Sequence, residues 1–165
     1  MNSRTSEKRI SIQDFVKKEL GVRLPDPVVR FLVAHEECLS DNPYDRSRWK
    51  SGFGDVHFIC GTTRAFREQF ENFPRELIII GYLGEDSVII DHRVNEMGLY
   101  VAVDVRNNGV YIVDSLGKAK KVGDSFSSWI EHFVSCLKDH PGETDKESFL
   151  KHIGEVLRRW RNKET

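Results

Sequence analysis

With 165 residues, and 25 Lys and Arg against 26 Asp and Glu, the chain is long enough for one domain with its own core and too evenly charged to act through net charge, either as a nucleic-acid binder or as an acidic mimic. Its apolar and charged content is that of an ordinary globule, and no apolar run approaches the roughly 18 residues of a membrane span. Three cysteines, Cys38, Cys60 and Cys136, are an odd count without close spacing, which points to free thiols in a reducing cytoplasm rather than a disulfide framework.

Residues 1–10 are polar, carry no apolar signal segment and read as a flexible tail. A helix is then expected from Ser11, with Asp14 as its capping-box partner, an apolar stripe of Ile12, Phe15, Val16 and Leu20, and Gly21 as its stop. Asp26 caps a second helix with Pro27 in its first position, where a missing N–H costs nothing. Val28, Phe31, Leu32 and His35 form the inner face of that helix. Ser40 to Gly54 is a polar loop. Val56 to Cys60 alternates and reads as a strand, and a third helix from Thr62 or Thr63 to about Asn72 buries Phe66 and Phe70.

Leu77 to Leu83 is an unbroken apolar run, expected as a central strand covered on both faces. Ser87 to Asp91 pairs with it across Gly84-Glu85-Asp86. Leu99 to Val105 alternates, with Leu99, Val101, Val103 and Val105 facing one way and Tyr100, Ala102 and Asp104 the other. Asn108-Gly109 signals a hairpin with a type I′ turn, which needs positive φ twice, and Val110 to Val113 completes it. Asp124 caps a helix whose Phe126, Trp129, Ile130, Phe133, Val134 and Leu137 share one face and seal the sheet. After His140-Pro141-Gly142, Thr144 and Glu147 form another capping box. The last helix carries Phe149, Leu150, Ile153, Val156, Leu157 and Trp160. That face either packs on the domain or joins two subunits, in which case Phe149, Ile153, Val156 and Trp160 would form a homodimer interface.

The fold expected from these elements is α+β: a twisted, mostly antiparallel sheet of about five or six strands with N-terminal helices, one inserted helix and C-terminal helices. Residues 11–138 would form the domain and residues 139–165 a C-terminal amphipathic helix.

Several motifs of this chain stand in a telling order. They are Leu24-Pro25-Asp26-Pro27-Val28-Val29-Arg30-Phe31-Leu32, the strand end Ile80-Gly81, a short acidic turn, a meander, and the helix start Ser125-Phe126. Together, over about Ile12 to Leu137, they resemble the SMI1/KNR4 family of the SUKH superfamily. Two loops depart from the family's habit. His35-Glu36-Glu37-Cys38 stands where an Asn-Gly pair is frequent, and Glu85-Asp86 where Gly-Asp is frequent. Both bear on partner identity rather than fold. The resemblance implies a non-catalytic protein-binding domain. Many bacterial relatives look like immunity proteins that bind and block a toxin domain, often a nuclease, while others look like regulatory adaptors or scaffolds.

The residues themselves offer little chemistry. The six histidines and three cysteines show no His-x-His, His-x3-His or Cys-x2-Cys spacing, so neither a metal nor another cofactor is expected. Cys60 and His57 lie three apart on the expected strand and would point to opposite faces, which leaves Cys60 a buried small hydrophobe. No nucleophile elbow or phosphate-binding glycine loop is present. Glu85, Asp86, Asp91 and His92 could shift one another's pKa and serve a small enzyme, although the plainer reading is a solvated turn. The basic end Arg158, Arg159, Arg161 and Lys163 complements a helix dipole.

Charge is more informative. From Gly81 to Gly117 the acids are Glu85, Asp86, Asp91, Glu96, Asp104 and Asp114, against only Arg93 and Arg106. An acidic surface complements the basic cleft of a nuclease. The expected contact surface is therefore Glu85, Asp86, Asp91, Glu96 and Asp104, with Tyr82 and Tyr100 as aromatic anchors. The expected partner is a protein, with no direct nucleic-acid or membrane contact.

Overall fold

The computed structural model describes residues 3–41, 52–84, 99–138 and 146–162. The elements run α1 (Ser3–Leu20), α2 (Asp26–Asp41), β1 (Gly52–Phe53), α3 (Val56–Gln69), β2 (Leu77–Gly84), β3 (Leu99–Asp104), β4 (Val110–Val113), β5 (Ala119–Gly123), α4 (Phe126–Lys138) and α5 (Lys146–Asn162). The strands form one antiparallel sheet in the order β1-β2-β3-β4-β5. The architecture is α+β with helices before, within and after the sheet. The expected strand Ser87–Asp91 lies outside the described residues.

β2 shapes the rest. Leu77, Ile78, Ile79 and Ile80 are all buried, so both faces of the strand need cover. Ile78 and Ile80, with Leu99, Val101, Val103, Val110 and Ile112, pack on the larger core built with α1, α2, α4 and α5. Leu77 and Ile79, with Ala102 and Val113, pack on a smaller core with Phe66 and Phe73. α3 serves both: Ile59 and Cys60 join the larger core and Phe66 the smaller.

The larger core centres on Phe31 of α2, which is fully buried. Its ring meets Phe53 of β1 at 4.8 Å, Phe126 of α4 at 5.0 Å and Trp160 of α5 at 5.9 Å, each edge to face, the arrangement that aromatic quadrupoles favour. The Trp160 indole N–H donates to the Pro27 carbonyl at 3.1 Å, so the polar edge of the ring is satisfied inside the seam. Gln13 of α1 clamps the linker into α2. Its amide donates to the Leu24 carbonyl at 2.7 Å and accepts from the Leu24 N–H at 3.0 Å.

Several boundaries differ from the sequence reading. α1 begins at Ser3, so Ser11 lies inside a helix rather than capping one, and most of the expected tail is helical. Its stop is as read: Gly21 takes φ +74° and donates to the Lys17 carbonyl at 2.8 Å. α2 starts one residue early, with the Pro25 carbonyl accepting from Val28 and Val29. Val56–Cys60 is not a strand but the first turns of α3, because Asp55 caps it by accepting from the Phe58 N–H at 2.8 Å. Ser125, not Asp124, caps α4: its hydroxyl accepts from the Ser128 N–H and its carbonyl from Trp129. Asp124 instead pairs with Lys121. The hairpin between β3 and β4 is present, but it closes through Asn108 N–H to the Asp104 carbonyl, with positive φ at Asn108 alone, so it is no type I′ turn.

The apolar face of α5 is used within the chain. Ile153, Val156, Leu157 and Trp160 are buried against α2 and α4, and Arg161 pairs with Glu131 of α4. Three of the four residues offered as a dimer interface are therefore not at a surface, and a dimer through them would require α5 to leave its groove. The fourth, Phe149, has its side chain outside what the structure describes. Among the described residues no helix is long and apolar enough to cross a membrane.

Phe31→Ala removes the ring on which β1, α4 and α5 converge. Urea denaturation should show a loss of about 3–5 kcal/mol, larger than for any single truncation on α3's exposed face.

Candidate functional site

The two tyrosines expected as anchors come together at one end of the sheet. Tyr82 of β2 and Tyr100 of β3 are cross-strand partners, with ring centroids 5.1 Å apart and planes at 55°. Both are half-buried. Tyr100 continues edge-on to Phe66 of α3 at 5.1 Å, and Phe66 touches Phe70 at 5.4 Å and Phe73 at 5.5 Å. An aromatic strip thus runs from the sheet's end under α3.

Strict alternation along β2 would place Tyr82 on the face of Ile78 and Ile80, away from Tyr100. The register corrects this. Ile79 pairs with Ala102 and Gly81 with Val101, so the pairing slips between them. That β-bulge inserts one residue and returns Tyr82 to the face of Tyr100. Gly81 is the sequence signal, since an isolated glycine in an apolar strand often marks a bulge. On the same edge β1 pairs only with Gly81 and Tyr82, and the Gly54 N–H reaches the Ile80 carbonyl. One step beyond, the Ile79 N–H donates to the buried hydroxyl of Thr63 on α3 at 3.0 Å. Thr63 takes the place of a neighbouring strand there.

The charged positions fare differently. Glu85, Asp86, Asp91 and Glu96 lie outside the described residues, as does the cluster that Glu85, Asp86 and Asp91 would form with His92. Asp104 is described and is not a surface acid. Its side chain is 1% exposed, and it accepts from the Arg106 backbone at 2.8 Å and from the Arg106 guanidinium at 3.0 and 3.2 Å. Arg106 also reaches Glu76 at 3.2 Å. The Arg106 hydrogen bonds hold the Asp104 carboxyl below its ordinary range, against the opposing effect of burial. The sequence reading chose Asp104 from the local excess of acids, whereas the carboxylate is folded in against Arg106. Asp114 is likewise structural, accepting from the Leu116 and Lys118 N–H groups. Its turn carries Gly117 at φ +79°, seated on Phe70, where a Cβ would come within 2.6 Å of the ring.

Cys60 is buried, and burial, reinforced by Glu19, pushes its thiol up, so it stays protonated. His57 lies on the helix instead of a strand and packs edge-on against Phe15 at 5.1 Å. Among the described residues no cluster of three or more His, Cys, Asp or Glu could hold a metal ion.

Two stability measurements test this geometry. Thr63→Val keeps the shape but leaves the buried Ile79 N–H without an acceptor, and should cost about 1–3 kcal/mol. Asp104→Asn should lower the melting temperature at pH 7. Because the folded carboxyl titrates below the unfolded one, its stabilising effect is present above the unfolded value and lost as pH falls through the folded value, so the two proteins should converge in acid.

No curated protein matches the chain in sequence. A family model does: the SMI1 / KNR4 family model (SUKH-1) matches residues 10–132, the stretch that carries α2, the sheet with its bulge and the start of α4. The chain belongs to the SMI1/KNR4 family.

Proposed function

We propose that this chain is a non-catalytic binding domain that acts as an immunity protein, occluding a cognate bacterial toxin domain, often a nuclease in such systems. The observation that carries the reading is the half-buried Tyr82–Tyr100 pair at the end of the sheet. Paired tyrosines supply large, rigid contact area, part apolar and part hydrogen-bonding, as in interface hot spots. Gly84 and Leu99 are cross-strand partners, so the segment between them, which carries Glu85, Asp86, Asp91 and Glu96, leaves and rejoins the sheet beside that pair. An acidic segment joined to the strands that carry two aromatic anchors suits a basic, phosphate-binding cleft: charge speeds the encounter and the tyrosines hold the complex. Asp104 has no part in this surface, being committed to Arg106.

An adaptor for a cellular protein would use the same surface with a different partner. A pull-down from the native source separates the two. One stoichiometric partner with a basic toxin-like domain supports immunity, and a broad set of cellular proteins supports an adaptor. With the partner in hand, reversing Glu85 and Asp86 to lysine should slow association without lowering the melting temperature. Tyr82→Ala should raise the dissociation rate roughly thirtyfold, the scale of a 2 kcal/mol hot spot. Unchanged kinetics in both variants would remove this surface from consideration.

A further inference from the structure

α5 lies beyond the matched family segment, yet it is held to α2 by an unusual contact. His35 of α2 and His152 of α5 are 1% and 6% exposed. Their Nδ1 and Nε2 atoms stand 2.7 Å apart, with rings edge to face at 4.8 Å. The other nitrogen of His35, Nε2, is 3.1 Å from the Phe53 carbonyl of β1.

Proton counting fixes what this arrangement tolerates. A carbonyl only accepts, so His35 Nε2 carries a hydrogen. The 2.7 Å contact holds one hydrogen between two nitrogens. In the neutral pair His152 Nε2–H therefore donates to His35 Nδ1. A first added proton leaves one hydrogen in the contact. A second puts an N–H on both facing nitrogens and breaks it, besides burying two like charges.

We propose that the His35–His152 contact is a proton-sensitive clasp that holds α5 on α2 near neutral pH and releases it in acid. Opening the seam uncovers the apolar faces that Ile153, Val156 and Trp160 now cover.

The described charged and titratable groups around the clasp do not substitute for it. On α2, Glu37 pairs with Arg159 at 3.8 Å, Glu36 precedes it, and Cys38 is buried. On α5, hydrogen bonds from Arg158 and then Arg159 hold Glu155 at about 2, so it stays ionised throughout. Lys151 is exposed. On α4, Glu131 pairs with Arg161 and His132 is exposed. On α1, Asp14, Lys17 and Lys18 are exposed and Glu19 is bound to Arg64 of α3. β1 offers the Phe53 carbonyl.

The sign follows. With α5 released, the two histidines take two protons below about pH 6.5. Docked, they take at most one. The open state therefore binds more protons, and docking weakens as pH falls, by about tenfold per pH unit.

Hydrogen exchange on the full chain between pH 7.5 and 5, corrected for intrinsic rates, tests this. The α5 amides should lose protection on that slope while the amides of β2 keep theirs. His152→Gln keeps an N–H donor and offers an oxygen once His35 is charged, so its α5 should show no slope. A flat profile in the parent protein, or the same slope in both proteins, overturns the proposal. In the parent protein alone, nitrogen-15 shifts at pH 7.5 should show His35 as the Nε2–H tautomer. The Nδ1–H tautomer, or two charged rings with α5 still protected at pH 5, overturns it equally.

Discussion

Strand β2 carries buried apolar side chains on both faces, and neither face can be left to water. Burying a side chain of this size is worth about 1.5–3 kcal/mol, so Leu77 to Ile80 together strongly favour a structure with helices on two sides. One side takes α1, α2, α4 and α5 with the first turns of α3, and the other takes the rest of α3. The choice of layers follows from this strand. So does the aromatic hub, because Phe31 sits where the large layer must gather β1, α4 and α5 over one face. The long-range contacts that hold the helices are thus a consequence of the sheet's two-sidedness rather than of strong helix formation in any one of them.

The same strand positions the candidate surface. A bulge between Ile79 and Gly81 re-aims Tyr82, and Thr63 satisfies the edge amide that the two-residue β1 does not reach. The pairing of Tyr82 with Tyr100 is therefore a property of backbone register held from α3. It is not a local feature of either tyrosine. Stability and the geometry of the candidate surface meet at this point: weakening the Thr63 contact would disturb both the sheet edge and the placing of the two tyrosines.

What could be read from the sequence was the periodic part. The two-faced β2, the alternation of Leu99 to Val105, the stripe on α4, the glycine stop at Gly21 and the inner face of α2 are all local patterns, and the structure contains them. The errors arose where a short pattern fits two periods. Val-His-Phe-Ile-Cys alternates like a strand, yet Asp55 ahead of it is a helix cap, and the cap prevails. β1 is too short to carry a pattern. Asp104 stood on the correct face and was still misjudged as a contact residue, since an excess of acids along a segment does not say which of them is buried with a partner of its own. The His35–His152 contact joins residues 117 positions apart in the chain, which no local spacing reveals.

The matched family segment ends at residue 132, but the packing does not. Ile153, Val156 and Trp160 of α5 complete the core that α2 and α4 begin, and the Trp160 indole closes on Pro27, within the leucine-proline motif itself. The apolar side of the motif at the start of α2, Leu24, Val28, Val29, Phe31 and Leu32, is buried, and a helix from outside the matched stretch supplies part of its cover. Those apolar side chains are committed to the core while α5 stays docked, whereas Asp26 at the helix start is exposed.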